Sequence, residues 1–385
     1  MAPQTTEQIR KHLQNRHLVL RSLHFDGPQR RVDLSRRCAI RKSSVTKIVG
    51  ELMELGIVAA TDPGNERSTL KLDDSKYCIL TASVSANHVT VGRVYLDGRL
   101  QELSRAATGD ASDPGRIAKR LVEKFRAAQK ARSCKVLGYG VAVSGLTDPM
   151  SGTVVYSVSL GQWKDVKLGD VLSSSLRRPV LIDNNVRCQL WSSAWFGRLA
   201  ARYQSILYVG IGQGVASAAV VAGRRVLGGH FSAGEIGHVR AGDEGRLCQC
   251  GRVDCLETFV GTSAIAREIT QLRPDANVKT AEDIATAASS DRAVVNVVDR
   301  ATGRLARALT GTIATLDPEA LVIGSSSKAF SELVQPLLQR HLYTELMGFE
   351  AREAEIVIGE PTRSTTLTGV AGMVVERVFE SGAEL

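Results

Sequence analysis

One short stretch constrains this chain more than any other. Gly234-Glu235-Ile236-Gly237-His238 is followed by Cys248-Gln249-Cys250-Gly251 and then by Cys255-Leu256-Glu257. One of the seven histidines and three of the seven cysteines therefore fall within 18 residues. Three thiolates and an imidazole make a Cys3His donor set, which suits tetrahedral zinc and leaves no open position for a reacting water. The spacing predicts a structural zinc held by His238, Cys248, Cys250 and Cys255, not a catalytic one. Glycines at 234, 237, 242, 245 and 251 let a loop with few apolar residues fold around an ion. The competing account is incidental cysteines, one of them paired in a disulfide. Clustering in a chain without secretory features argues for metal instead. Cys38, Cys78, Cys134 and Cys188 lie apart and read as small buried core residues.

Charge marks a second region. Residues 1–48 hold eleven Lys/Arg against three Asp/Glu, so nearly all of the net charge of +9 sits in the first eighth of the chain. A basic head on a neutral body is the electrostatic footprint of a nucleic-acid module, although a solvated basic helix surface has the same charge. Pattern adds to it. Ile9, Leu13, Leu18, Leu20 and Leu23 suit a first helix that breaks at Asp26-Gly27-Pro28, and Val32–Cys38 suits a short second one. A third opens at Lys42 or Ser43, carries Val45, Ile48, Val49, Leu52 and Leu55 at helical spacing, and stops at Gly56. Its other face presents Arg41, Lys42, Ser43, Ser44, Thr46 and Lys47. Ile57–Ala60 and Thr69–Leu72 then form a hairpin wing carrying Arg67. Together these predict a winged helix-turn-helix over residues 1–74 that meets operator DNA through the seven polar and basic residues just named. A helical protein-interaction module is the alternative.

The body reads as α/β. Residues 73–77 are polar and read as a linker. Strands follow at Cys78–Val84 and Val89–Tyr95, a helix at Pro114–Arg132, and a strand at Val136–Val143. A strand from Arg178 to Ile182 runs into Asp183-Asn184-Asn185 and a helix through Phe196. Ile206–Gly210 and Val215–Ala222 are strands about a Gly212/Gly214 turn. Helices follow at Ser263–Gln271, Ala281–Ser289 and Ala293–Leu316, then a strand at Leu321–Gly324 and a closing helix at Thr365–Val378. The chain has no N-terminal apolar h-region and no run of 18 apolar residues, so a cytoplasmic protein without a membrane span is expected.

Glu-Ile-Gly-His, then Cys-x-Cys-Gly, then Cys-x-Glu resembles the signature of the ROK family, which holds sugar-responsive repressors and sugar kinases. The resemblance implies a two-lobed actin-like ATPase body, with lobes over 75–194 and 195–385. It implies that the histidine and three cysteines hold zinc, and that Glu235 and Glu257 bind sugar hydroxyls. A winged helix-turn-helix in front of the body is similar to the family's repressors; its kinases generally lack one. The family usually has a glycine before the third cysteine, where this chain has Asp254. Ser144-Gly145-Leu146-Thr147-Asp148 with Gly152 and Trp163 resembles the segment under the sugar pocket; Ser159 stands where an asparagine is usual. The family's Asn-Asp, whose aspartate is the base in the kinases, corresponds to Asn184-Asn185. An amide accepts no proton at neutral pH but still hydrogen-bonds a polyol, and either asparagine can instead cap the following helix. The phosphate hairpin Asp-x-Gly-x-Thr is replaced by Ser83-Val84-Ser85-Ala86-Asn87. Gly212 and Gly214 resemble a second phosphate loop, although a hairpin uses glycines too.

Two main readings follow. In the first, a repressor senses a sugar or sugar phosphate through Asn184, Asn185, Glu235, His238 and Glu257, does not phosphorylate it, and acts as a homodimer or dimer of dimers. In the second, an active ATP-dependent sugar kinase carries a DNA-binding head. The head, Asn185 and the missing Asp-x-Gly-x-Thr favour the first. A repressor blind to ligands is a third reading, and Glu235, His238 and Glu257 argue against it, since converging polar groups are costly to bury unsatisfied.

Overall fold

The basic head forms three helices because its apolar residues converge at helical spacing. The computed structural model describes residues 6–65, 67–131, 134–346 and 354–381. Helices α1 (Thr6–Asp26), α2 (Arg31–Arg37) and α3 (Lys42–Leu55) bury Leu20, Leu23, Leu34, Val45, Ile48, Val49 and Leu52. Leu55, placed on the apolar stripe by its spacing, is instead exposed. Gly56 takes φ +70°, and its amide and that of Ile57 close the C-terminus of α3. Strands β1 (Val58–Ala60) and β2 (Leu70–Leu72) pair antiparallel as the wing. Residues 73–77 are not a loose linker. The amide of Asp73 donates to Ile57, and Tyr77 is buried as the first residue of β3.

Beyond the wing come β3 (Tyr77–Val84), β4 (His88–Tyr95), β5 (Leu100–Ala107), α4 (Pro114–Lys130) and β6 (Lys135–Val143). The short strands β7 (Leu146–Asp148), β8 (Thr153–Ser157) and β9 (Trp163–Val166) form a small antiparallel sheet, followed by α5 (Leu168–Leu176) and β10 (Val180–Asn184). The main sheet has the order β10-β6-β3-β4-β5, with β3 parallel to β6 and antiparallel to β4. Asp113 caps α4 by accepting from the Arg116 amide, Pro114 supplies a ready φ, and Ile117, Leu121 and Phe125 pack on the sheet. Cys78 and Cys134 are not separate core thiols. They form a disulfide with a Cα–Cα distance of 5.9 Å.

The second stretch runs α6 (Asn185–Trp195), β11 (Ile206–Ile211), β12 (Val215–Val221), β13 (Arg224–Arg225), α7 (Glu257–Val260), α8 (Thr262–Leu272), α9 (Ala281–Ala288), α10 (Arg292–Leu316), β14 (Ala320–Ser325), α11 (Lys328–Glu345), β15 (Glu355–Ile358) and α12 (Thr362–Ser381). Its sheet has the order β13-β12-β11-β14-β15, parallel from β11 through β15. Val297, Leu305 and Leu309 of α10 and Phe330 and Leu338 of α11 join Leu207, Val209 and Leu321 in one core.

The chain divides into two compact units, residues 1–183 with 367–385, and residues 184–366. From Leu367 on, α12 thus belongs with the first unit, whereas 195–385 was expected to form one lobe. It packs closely there: a Cβ added to Gly140 of β6 would lie 2.8 Å from Val370. Among the described residues no helix is long and apolar enough to cross a membrane.

Candidate metal centre and effector site

The Glu235–His238 turn is held closely against β12, where the Ser217 hydroxyl donates to the Gly234 carbonyl at 3.2 Å. Ser217 donates its amide to the Gly234 carbonyl at 2.7 Å. A Cβ at Gly234 would fall 2.0 Å from the Ser217 carbonyl oxygen, and one at Gly237 would fall 1.9 Å from that of Val215. Only glycine admits that approach, so these two positions fix where Glu235 and His238 stand.

The cysteines come from a knuckle beyond this turn. Isolated bridges Arg240–Cys255 and Leu247–Val253 draw its arms together. The Cys248 amide donates to Arg252, and Gly251, at φ +86°, donates back to Cys248. Asp254 does more than its place in the sequence indicates. It is buried at φ +57°, and its carboxylate accepts from the amides of Glu244, Gly245 and Arg246 at 2.9–3.2 Å. Burial alone would raise its pKa; the three donors outweigh it and hold the carboxyl below the ordinary aspartate value.

The four donors meet as the spacing predicted. A ring nitrogen of His238 and the Sγ atoms of Cys248, Cys250 and Cys255 all lie within 4.8 Å of one another. Cys248 to His238 Nδ1 is 3.6 Å, and Cys250 to Cys255 is 3.6 Å. A zinc tetrahedron with Zn–S arms of about 2.3 Å and a Zn–N arm of about 2.0 Å has edges of about 3.5–3.8 Å, so the donor set fits the ion. Charge agrees. Burial works against a thiolate at Cys250, yet the Arg252 amide and side chain and the neighbouring thiols bring it to about 6, while Cys248 and Cys255 are pushed up, chiefly by burial. Three sulfurs in one small space ionise together only around a cation.

The carboxylates flank this cluster. Glu257, the first residue of α7, accepts from the Cys248 thiol at 2.9 Å and lies 3.9 Å from His238 Nδ1. Glu235 faces the other ring nitrogen, with Oε2 3.9 Å from Nε2. A metal on Nδ1 therefore leaves Nε2 beside Glu235. Burial pushes the Glu235 carboxyl up, and His238 and Arg187 pull it partly back. A Cβ at Gly214 would lie 3.1 Å from Glu257 Oε2, so the Gly212–Gly214 turn borders the same place.

Of the asparagines, Asn184 is the cap of α6, its Oδ1 accepting from Val186 and Arg187 at 2.8 and 3.2 Å. Asn185 is the first helical residue. Arg187, which sequence reasoning passed over, ties this turn to the glutamate loop: it is buried and donates to the Phe231 carbonyl at 3.2 Å. A charged residue one turn into a helix that opens on two amides was the available signal.

On the head, Arg41 stands at the start of α3, where Lys42, Ser43, Thr46 and Lys47 are exposed and Ser44 is half-buried; Arg67 is exposed on the wing. Among the described residues Arg41, Lys42, Lys47 and Arg67 have no carboxylate partner. In the first unit the Ser85–Asn87 turn is closed on itself: Ser85 donates to His88, and Thr108 donates to Ser85 and Asn87.

Comparison with known proteins places this geometry. The solved structure of a ROK family transcriptional regulator, described as a homologue of the Escherichia coli Mlc protein, superposes with a TM-score of 0.82 at 21% identity, covering 97% of this chain and 98% of that one. The DNA-binding transcriptional repressor Mlc of Escherichia coli is 23% identical over 377 residues, 93% of this chain and 92% of its own. A glucokinase of Halalkalibacterium halodurans is 31% identical over 274 residues, but these make up only 67% of this chain, against 80% of the glucokinase. The ROK family model matches residues 97–376, and on that match, together with the glutamate–histidine turn and its cysteine knuckle, the chain belongs to the ROK family.

Proposed function

We propose that this protein is a sugar-responsive transcription regulator, a repressor that binds operator DNA through its head and senses a sugar or sugar phosphate in a body that does not phosphorylate it. The observation that carries the reading is the joining of a winged helix-turn-helix, with exposed cations at the start of α3, to a ROK body in one chain. A relative named as a repressor aligns over the head as well as the body, whereas the glucokinase covers two thirds of the chain.

Arg41, Lys42, Ser43, Ser44, Thr46 and Lys47 meet bases and phosphates in the major groove, and Arg67 on the wing meets the backbone. The operator is a palindrome, because a two-fold homodimer, alone or within a dimer of dimers, presents two copies of α3. Zinc, when bound, neutralises the three thiolates and fixes the His238 ring. Nε2 of His238, Glu235, Glu257 and Asn185 then offer donors and acceptors to sugar hydroxyls, while Asn184 holds the turn that carries Asn185. The effector shifts operator affinity to the extent that it prefers one state of the protein. The protein works in the cytoplasm, where its thiolates stay reduced.

Phosphoryl transfer needs a base at the attacking hydroxyl and a cradle for Mg-ATP. Asn185 supplies no base, and the Ser85–Asn87 turn is bonded to His88 and Thr108. The test pairs coupled ADP release, with ATP and a panel of hexoses and amino sugars, with operator binding in the same samples. Sugar-dependent operator affinity without ADP release is expected. Sugar-dependent ADP release that Asn185→Ala abolishes would establish the kinase instead.

A further inference from the structure

We propose that Cys78 and Cys134 are a redox site whose oxidation fastens the neck beneath α3; its effect on DNA, though not the site itself, rests on the function proposed above. The Leu55 carbonyl, last in α3, accepts from Lys76 Nζ at 3.0 Å and from the Tyr77 hydroxyl. The Lys76 carbonyl accepts in turn from the Lys135 amide at 2.8 Å. The ammonium groups of Lys76 and Lys135 sit 5.6 and 5.7 Å from the Tyr77 ring centre. Cys78 follows Tyr77 on β3 and Cys134 directly precedes β6, so their disulfide ties the two strands where their pairing begins. The ladder is irregular there: register slips between Cys78 and Ile79, so that Cys78 pairs Val136 and Ile79 pairs Gly138. The covalent bridge therefore holds the segment that grips the end of the recognition helix where hydrogen bonding is least regular.

Access and compartment give the pair its chemistry. Cys78 is fully buried and Cys134 half-buried, so an incoming thiolate reaches the sulfur of Cys134. A dithiol reductant attacks that sulfur, the Cys134–Cys78 bond breaks, and Cys78 leaves as a thiolate that takes up a proton. The reductant's second thiol then displaces Cys134. Two electrons and two protons have passed to the pair, and the reductant departs as its own disulfide. A disulfide oxidant such as oxidised glutathione runs the sequence backwards. A Cys3His cluster needs free thiolates, and in a compartment that preserves them a disulfide elsewhere in the chain is a sensing pair.

The test uses the zinc-loaded full chain in oxidised-glutathione and dithiothreitol buffers, with zinc content measured in each sample. Alkylation mass spectrometry follows the Cys78–Cys134 link, hydrogen exchange follows the amides of Gly56 and Ile57, and anisotropy follows a duplex that the protein itself selects from a random library. On reduction, exchange at those amides rises about 10-fold. Affinity for the duplex falls about 5-fold. Cys78→Ser/Cys134→Ser behaves as reduced in both buffers, and Cys38→Ser responds as the wild type. If the double variant does not fold, Cys134→Ser alone serves, its site being half-buried. Equal exchange in the two buffers, no cross-link after oxidation, or a response that survives in Cys78→Ser/Cys134→Ser or in Cys134→Ser overturns the proposal. If neither form selects a duplex, the DNA-binding function fails, and exchange together with the cross-link still decides the redox site.

Discussion

Changing Lys47 to Gln tests the head by a quantity that structure sets in advance. Lys47, Arg41, Lys42 and Arg67 are exposed and unpaired among the described residues, so each is free to meet a phosphate. Four cations per protomer make eight in a two-fold dimer, and log affinity then falls with log salt at a slope of about −7. The variant lacks two of the eight, which lowers the slope to about −5. The ratio of wild-type to variant affinity should therefore shrink about 12-fold as salt rises from about 50 to about 200 mM. Glutamine keeps the helix propensity of the exposed position, so thermal stability should not move. The assay is a salt titration of operator binding by anisotropy for both proteins. Parallel titration lines, with a loss that ignores salt, would mean that Lys47 does not face the backbone and that α3 is not docked as described.

Metal analysis should give about one zinc per chain, and Cys250→Ser should release it while the far-UV spectrum stays that of a folded protein; a zinc-free preparation with full sugar response would refute the assignment. Gly237→Ala drives a Cβ to 1.9 Å from the Val215 carbonyl oxygen, so it should cost about 1–3 kcal/mol in a denaturant titration and abolish the sugar response; an unchanged midpoint would show that the contact is not held in solution. Asn185→Asp restores a carboxylate but no phosphate cradle, and coupled ADP release should remain at background; turnover in this variant would show that the Ser85–Asn87 turn opens to nucleotide.

What could be read in advance was whatever depends on local spacing. Gly56 ends α3 where a helix needs a left-handed residue, and His238, Cys248, Cys250 and Cys255 lie close along the chain, so both the helix end and the cluster were legible. Cys78 and Cys134 are 56 residues apart, and their pairing depends on the register of β3 against β6, which no local pattern encodes. Tyr77 looked like linker because its neighbours are polar; its ring is buried between two lysines. Strands β7 to β9 are three to five residues each and too short to show alternation. Helix α11 contains Pro336, which signals a break in sequence but is accommodated in the structure. Arg187 and Asp254 matter for partners far along the chain or for a backbone angle, and neither leaves a motif.

Asp254 has one more consequence. A loop tied at three amides by its own carboxylate is shaped before any ion reaches it. In small zinc modules the free energy of binding metal is also the free energy of folding, and a chelator unfolds them. Here the chain entropy of the knuckle is already spent, so taking up or losing the ion changes the orientation of one imidazole and the charge of three sulfurs while the β12 backbone beneath stays in place. A chelator should therefore leave a folded protein that no longer recognises its sugar, and returning zinc should restore recognition without a refolding step.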